Sequence, residues 1–314
     1  MRFSDFNPHR CTLCPRLCGA DRTAAAGLCG GGALPRAARC ALHMWEEPCI
    51  SGTRGSGTVF FTGCPLGCVF CQNYEISARR SGHGKTISAA LLSDEFLRLE
   101  SLGAHNINLV TPTHFAPWIA QAIERARSGG LSVPVVWNTG GYERVETLRE
   151  LDGLVDVYMP DLKYFSPDLS QKLSGAANYF AAASAAISEM FRQVGRYRFG
   201  PDSTLERGLL VRHLVLPGHA DDSIRVFEEL SELVPPDDIL VGVMSQYTPP
   251  AEYGREVPGL PEELRRRVTA GEYELVCECV SQLGFTGYAQ DPESADAAYT
   301  PEWDYVDNSA GSPQ

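Results

Sequence analysis

Cys64, Cys68 and Cys71 stand in the run Gly63-Cys-Pro-Leu-Gly-Cys-Val-Phe-Cys-Gln-Asn73, directly after the apolar stretch Thr58-Val-Phe-Phe-Thr62. Thiolates are soft ligands that select zinc, copper or iron–sulfur clusters. A structural zinc site closes with a fourth ligand, and none is near, the next histidine along being His83. Three thiolates on a cubane iron–sulfur cluster leave one iron open to bind something else.

Other residues could carry chemistry. The N-terminal set Cys11-x-x-Cys14-x-x-x-Cys18, with Cys29 beyond it, offers four thiolates and could close a metal site. Spacing leaves both structural zinc and an auxiliary, electron-relaying iron–sulfur cluster open. Asp161 and Lys163 are two apart at the end of a strand-like run, so both point to one side. In Thr111-Pro-Thr-His114 the hydroxyls and the imidazole can hydrogen-bond a ligand, and His114 can move protons near neutral pH. Gln246 and Tyr247 are weaker candidates, by position alone. Cys277 and Cys279 fall on different faces of a helix and are not joint ligands. Gly82-His-Gly-Lys-Thr86 looks like the end of a phosphate-binding loop, but Arg79 occupies the place of its first glycine.

These residues need elements to position them. At 314 residues and 44% hydrophobic, the chain can fill a sizeable core. Residues 1–50 carry six cysteines with little periodicity and read as a metal-stapled lobe. Beyond them, strand-like runs alternate with amphipathic stretches, the pattern of strand-helix units around a parallel sheet. Strands are expected at 58–63, 106–111, 133–139, 155–162, 208–216 and 239–247. Helical faces are marked by Leu92, Phe96, Leu99 and Leu102, by Ile119, Ile123 and Ala126, by the Ala-rich residues 176–195, and by Ile224, Phe227, Leu230 and Val234. A last helix opens with the capping box Thr269-x-x-Glu272 and closes at Gly284. The tail from 307 to 314 is expected to be disordered.

The formal net charge is -12, from 27 basic and 39 acidic residues, which argues against a nucleic-acid or anionic-lipid surface. The start lacks a signal peptide's apolar core, and no apolar run reaches the length of a membrane span, so a reducing cytoplasm is expected.

The cysteine spacing, Phe70 before the last cysteine and the strand in front resemble radical S-adenosylmethionine (SAM) enzymes. Trp45-Glu-Glu-Pro-Cys-Ile-Ser51, Gly55-Ser-Gly-Thr58, Leu109-Val-Thr-Pro-Thr-His-Phe115, Tyr158-Met-Pro-Asp-Leu-Lys163 and Val211-Arg-His-Leu-Val-Leu-Pro-Gly218 resemble the uncharacterised group related to pyruvate formate-lyase activating enzymes. The resemblance implies an α/β fold, a partial (β/α)6 barrel over residues 51–306, with chemistry at the carboxyl ends of the strands. It implies a four-iron four-sulfur cluster on Cys64, Cys68 and Cys71, and SAM bound at its open iron. It places Asp161 and Lys163 in the active site, Arg212 against SAM, and Asn138 with Thr139 where relatives carry an acid followed by threonine. Thr111, Thr113 and His114 stand where many relatives carry a Gly-Gly-Glu segment. The implied reaction makes a 5'-deoxyadenosyl radical, with an electron donor such as flavodoxin or ferredoxin, and installs a glycyl radical on a partner protein. Radical modification of another protein or a small molecule, and a non-catalytic electron carrier, are the competing readings.

Overall fold

The computed structural model describes residues 3–77, 81–290 and 303. The expected tail at 307–314 lies outside them. Ten strands form one mostly parallel sheet: β1 (Arg36–His43), β2 (Ser56–Phe61), β3 (Lys85–Thr86), β4 (Ile107–Val110), β5 (Val135–Thr139), β6 (Val157–Pro160), β7 (Arg198–Phe199), β8 (Leu205–Leu214), β9 (Leu240–Met244) and β10 (Thr286–Ala289). The order is β10-β9-β8-β6-β5-β4-β2-β1-β3, with β7 paired to β8. From β2 to β10 along this path every pairing is parallel; β1 runs antiparallel to β2, and β3 to β1. The path does not close on itself.

The six expected strands are β2, β4, β5, β6, β8 and β9. Four others were not anticipated: β1, β10 and the two-residue strands β3 and β7. β1 lies inside the expected N-terminal lobe, yet it pairs with β2 along most of its length. The lobe is therefore continuous with the main sheet. β10 is a short seventh parallel strand whose residues are mostly exposed.

Helices cross between the parallel strands: α1 (Pro48–Ser51), α2 (Tyr74–Ser77), α3 (Ala89–Ser101), α4 (Ala116–Ser128), α5 (Val145–Arg149), α6 (Pro167–Ser174), α7 (Tyr179–Val194), α8 (Ala220–Leu233) and α9 (Ala270–Gln282). Sequence fixes several ends. The Ser88 and Ser166 hydroxyls accept from the backbone of Leu91 and Leu169, and Thr269 with Glu272 makes the expected capping box. Each cap satisfies an amide that the first turn leaves free.

The alternation of side chains along the strands separates two faces. On β5, Val135 and Trp137 join the large core beneath the helices, together with Phe96, Ile119, Ile187 and Phe227. Val136 turns the other way and meets Val157, Met159, Leu210 and Leu240 in a smaller apolar cluster. Cys49 and Ile50 of α1 belong to that cluster and floor the inner face. One step further along the same strands, the inner residues turn polar: Asn138, Asp161 and Arg212. A period of two thus places a dry floor and a polar rim on the same face.

Candidate active site

The carboxyl ends of the parallel strands surround a cavity of about 580 Å3. Cys64, Cys68 and Cys71 line it, as do Thr111, Asn138, Thr139, Asp161, Lys163 and Arg212. The loop after β2 delivers the thiols. Gly63 at φ 82° and Gly67 at φ 94° occupy the left-handed region that glycine favours. At Gly63 a Cβ would run into the Cys29 carbonyl, which accepts a hydrogen bond from the Cys64 amide at 2.9 Å.

Each thiol meets a hydrogen-bonding group. The Leu66 amide donates to Cys64 Sγ at 3.4 Å, the Ser174 hydroxyl donates to Cys68 Sγ at 3.0 Å, and Ser77 Oγ lies 3.3 Å from Cys71 Sγ. Burial pushes the Cys64 thiol up to about 12, and the neighbouring sulfurs push in the same direction. Cys71 is raised too, again chiefly by burial. A bound metal core would supply the positive charge that turns such thiols into thiolates. Among the described residues no group of three or more His, Cys, Asp or Glu side chains could hold a single metal ion. The donor set, three soft thiols spread along one cavity wall, fits a multi-iron core.

A charged network lines the same cavity. Arg212 donates to Asp161 Oδ1 at 3.0 Å, to Glu46 Oε2 at 3.2 Å and to Asn138 Oδ1 at 2.8 Å. Lys163 Nζ is 2.6 Å from Asp161 Oδ2. The Asn138 side-chain amide turns its donor to Glu46 Oε1, and Asn108 does the same at 2.9 Å. Although burial opposes ionisation of Asp161, Lys163 and Arg212 outweigh it and hold its pKa below the usual carboxylate value. Glu46 and Glu47 have Arg212 as their one cationic neighbour among the described residues, and burial outweighs it: Glu46 is raised, and Glu47 reaches about 7. Glu47 Oε2 is buried 3.9 Å from Arg212 Nη1, without a hydrogen-bond partner among the described residues.

Glu46 and Glu47 were not anticipated as site residues. Their signal in the sequence was two adjacent acids within the otherwise apolar segment from Trp45 to Ile50. Folding of α1 under the inner face carries them into the cavity. Glu143 is another such residue, buried beneath the rim. Its Oε1 accepts from Thr113 Oγ1 and Thr139 Oγ1, each at 2.6 Å, and from Trp137 Nε1 at 3.1 Å.

The expected rim group of Thr111, Thr113 and His114 is divided by the structure. Thr111 lines the cavity with a left-handed backbone at φ 57°, uncommon for threonine. Thr113 turns under the rim to Glu143. His114 corrects the expectation of a proton carrier in the cavity: it is not among the cavity-lining residues, and its Nε2 lies 2.8 Å from the Thr62 carbonyl. Burial pushes its pKa down to about 3, so the ring stays neutral near pH 7. The turn Thr113–Phe115 that opens α4 swings the imidazole inward. Gln246 lines the cavity, whereas the Tyr247 hydroxyl donates to the Leu264 carbonyl within the core.

The N-terminal cysteines lie behind this wall. Cys11, Cys14 and Cys29 are buried, and burial pushes the Cys14 thiol up to about 12, with the nearby Cys29, Cys11 and Cys18 sulfurs acting in the same direction.

A mostly parallel α/β sheet with a cysteine trio after its first parallel strand defines a class, and comparison with known families gives the same class. The Radical SAM superfamily model matches residues 58–231, and the chain belongs to that superfamily. Such membership implies a four-iron four-sulfur cluster, SAM and SAM-dependent radical chemistry. Among relatives, the chain is 30% identical over 278 residues to an uncharacterised protein, MJ0674, of Methanocaldococcus jannaschii, covering 85% of this chain and 73% of that one. Among solved structures it resembles Streptococcus suis SuiB bound to the precursor peptide SuiA, with TM-score 0.48 and 12% identity, over 73% of this chain and 46% of SuiB. It also resembles methylornithine synthase PylB, with TM-score 0.45 and 13% identity, over 80% of this chain and 70% of that one. The chain thus spans under half the length of SuiB. Among the described residues no helix is long and apolar enough to cross a membrane.

Proposed function

We propose that the protein generates a 5'-deoxyadenosyl radical in the 580 Å3 cavity and uses it to abstract hydrogen from a glycine backbone carbon of a partner protein. The observation that carries the radical step is that Cys64, Cys68 and Cys71, with no fourth cysteine among the described lining residues, share one cavity with Asp161, Lys163 and Arg212. Cys64, Cys68 and Cys71 would hold three irons of the cluster. When bound, the cluster and SAM supply one-electron cleavage of a sulfur–carbon bond.

The chain's own residues bind, orient and shield. Glu46, Glu47 and Asp161 bring three carboxylates against two cations, Arg212 and Lys163. With Glu46 and Glu47 ionised, this set carries a surplus of negative charge that complements SAM, whose sulfonium and ammonium outnumber its one carboxylate. Arg212, Asn138, Thr111 and Thr139 are the polar groups to orient it, and Glu47 Oε2 is an acceptor still to be used. Phe60, Leu66, Val110 and Ile76 form the apolar part of the wall and keep water from a reactive radical. The glycyl partner rests on the resemblance of the segments around Glu46, Thr111, Asp161 and Arg212 to the activating-enzyme group. Asn138, standing where those relatives carry an acid, makes a neutral bridge between Arg212 and Glu46 instead.

The test is anaerobic. Reconstituted and reduced protein with SAM is expected to release 5'-deoxyadenosine, and Cys64→Ala to abolish it; product formation unchanged by that substitution overturns the radical reading. Electron paramagnetic resonance of a candidate glycyl radical enzyme after incubation tests the partner. A glycine-centred doublet supports it, and turnover with a different acceptor and no doublet refutes it.

A further inference from the structure

Between the short turn at Phe3–Asp5 and β1 the described chain forms no helix or strand. It is nevertheless tightly folded around four thiols. The Cys11 amide donates to Ala20 O, Gly19 to Cys11 O, Leu17 to Cys14 O and Gly27 to Gly31 O, all at 3.0 or 3.1 Å. A Cβ on Gly27 would lie 3.6 Å from Cys29 Sγ and 3.7 Å from Cys18 Sγ, so these two sulfurs face one small gap. All four thiols are free of disulfides.

Beside them sits a cation that has no carboxylate partner among the described residues. Arg22 is 2% exposed, held over the Phe115 and Trp118 rings, with Nη1 3.9 Å from Cys11 Sγ. Its Nη2 has no hydrogen-bond partner, and a Cβ on Gly31 would lie 2.7 Å from Nη2 and 3.2 Å from Cys29 Sγ. A buried guanidinium with an unused donor is costly. Four thiolates around a metal core would carry the net negative charge that Arg22 lacks. The Gly31 amide already donates to Cys29 Sγ at 3.3 Å, and hydrogen bonds to sulfur and nearby charge are what set a cluster's potential.

From this arrangement we infer that Cys11, Cys14, Cys18 and Cys29 hold a second iron–sulfur cluster that relays electrons to the cluster of Cys64, Cys68 and Cys71. The relay rests on the reading of the trio given above. Iron is favoured over zinc because superfamily membership implies a four-iron core in this same chain, and the quartet adjoins the cysteines proposed to hold it. The two ligand sets also touch through one bond, Cys64 N–H to Cys29 O at 2.9 Å, with Gly63 giving the close approach. One electron from an external low-potential one-electron donor reduces the quartet's cluster and then passes to the trio's cluster, leaving the quartet's oxidised again. No covalent bond forms or breaks in the relay.

The experiment is anaerobic reconstitution of the full chain, with iron, sulfide and zinc analysis and electron paramagnetic resonance of the reduced protein. The wild type is expected to bind about eight irons if both clusters are four-iron cores. Cys64→Ser/Cys68→Ser/Cys71→Ser is expected to keep about four of them in the quartet. The fully reduced wild type should show signals broadened by spin coupling between two clusters, and the triple variant a narrow one. Wild type with about four irons and one zinc overturns the second cluster. Uncoupled signals from two filled sites overturn the relay. If the wild type binds about four irons and the triple variant keeps all of them, the quartet stands and the radical reading of the trio falls.

Discussion

Arg212→Met removes the cation on which the cavity's charge network depends. The Arg212 side chain is 15% exposed and serves Asp161, Glu46 and Asn138 at 2.8 to 3.2 Å. Asp161 retains Lys163 at 2.6 Å, but Glu46 and Glu47 lose the ion-pair partner they share among the described residues. Breaking a buried ion pair from one side costs about 3–5 kcal/mol, because the other charge is left unpaired. At roughly 2 °C per kcal/mol for a chain of this size, the melting temperature should fall by about 6–10 °C. Some of that loss is recovered when Glu46 is neutralised as well. Arg212→Met/Glu46→Gln should therefore be more stable than the sum of the single changes by about 1–3 kcal/mol. The assay is anaerobic thermal unfolding of cluster-loaded protein, all variants at one scan rate. A melting temperature within 2 °C of wild type, roughly 1 kcal/mol, or strict additivity in the double variant, would refute the network as drawn.

Glu47→Gln tests the raised carboxyl. Its folded pKa of about 7 exceeds the ordinary 4.5, so its contribution to stability is full below pH 4.5 and lost as pH rises to 7. The glutamine variant should match wild type near pH 5 and exceed it above pH 7 by up to about 3 kcal/mol; a gap independent of pH in denaturation curves contradicts this. His114→Ala should cost about 1–3 kcal/mol by unpairing the Thr62 carbonyl while leaving the pH profile of 5'-deoxyadenosine release unchanged in shape. Loss of a limb near pH 6 to 7, roughly the range of free histidine, would return His114 to the chemistry. Gly63→Ala should lower the iron content of both cysteine sets, since its Cβ meets the Cys29 carbonyl at φ 82°; full iron loading refutes the shared wall.

The parallel strands were legible because most are apolar runs buried on both faces, and such runs stand out between helical stripes. β1 was not, because Arg36-Ala-Ala-Arg-Cys-Ala-Leu-His43 mixes charges with alanines that have little preference for a strand. What makes it one is the pairing with β2, a contact that no local pattern encodes. Asp161, Asn138 and Arg212 could be placed because a strand's period of two carries each to the inner face. His114 could not, since it lies past the strand's end, where the turn at Thr113–Phe115 resets the direction of each side chain. Glu46 and Glu47 were hidden for a similar reason. Their entry into the cavity depends on α1 folding back beneath β5, β6 and β8, which spacing along the chain does not report.

The depth at which charge begins on the inner face is what pre-organises the site. Val136, Val157, Leu210 and Leu240 stand below Asn138, Asp161 and Arg212, so the charges rest on a layer that water does not reach. In that setting Arg212 is fixed by three acceptors on three different elements, β5, the segment after β6 and the segment before α1. A cation fixed in this way need not reorganise when a ligand arrives. The unsatisfied Glu47 Oε2 has the opposite character: burial has taken its water away and supplied no donor. A positively charged ligand would gain that oxygen and relieve the pressure that raises the Glu47 pKa. Glu47 is therefore the group in the cavity whose protonation should respond most to binding.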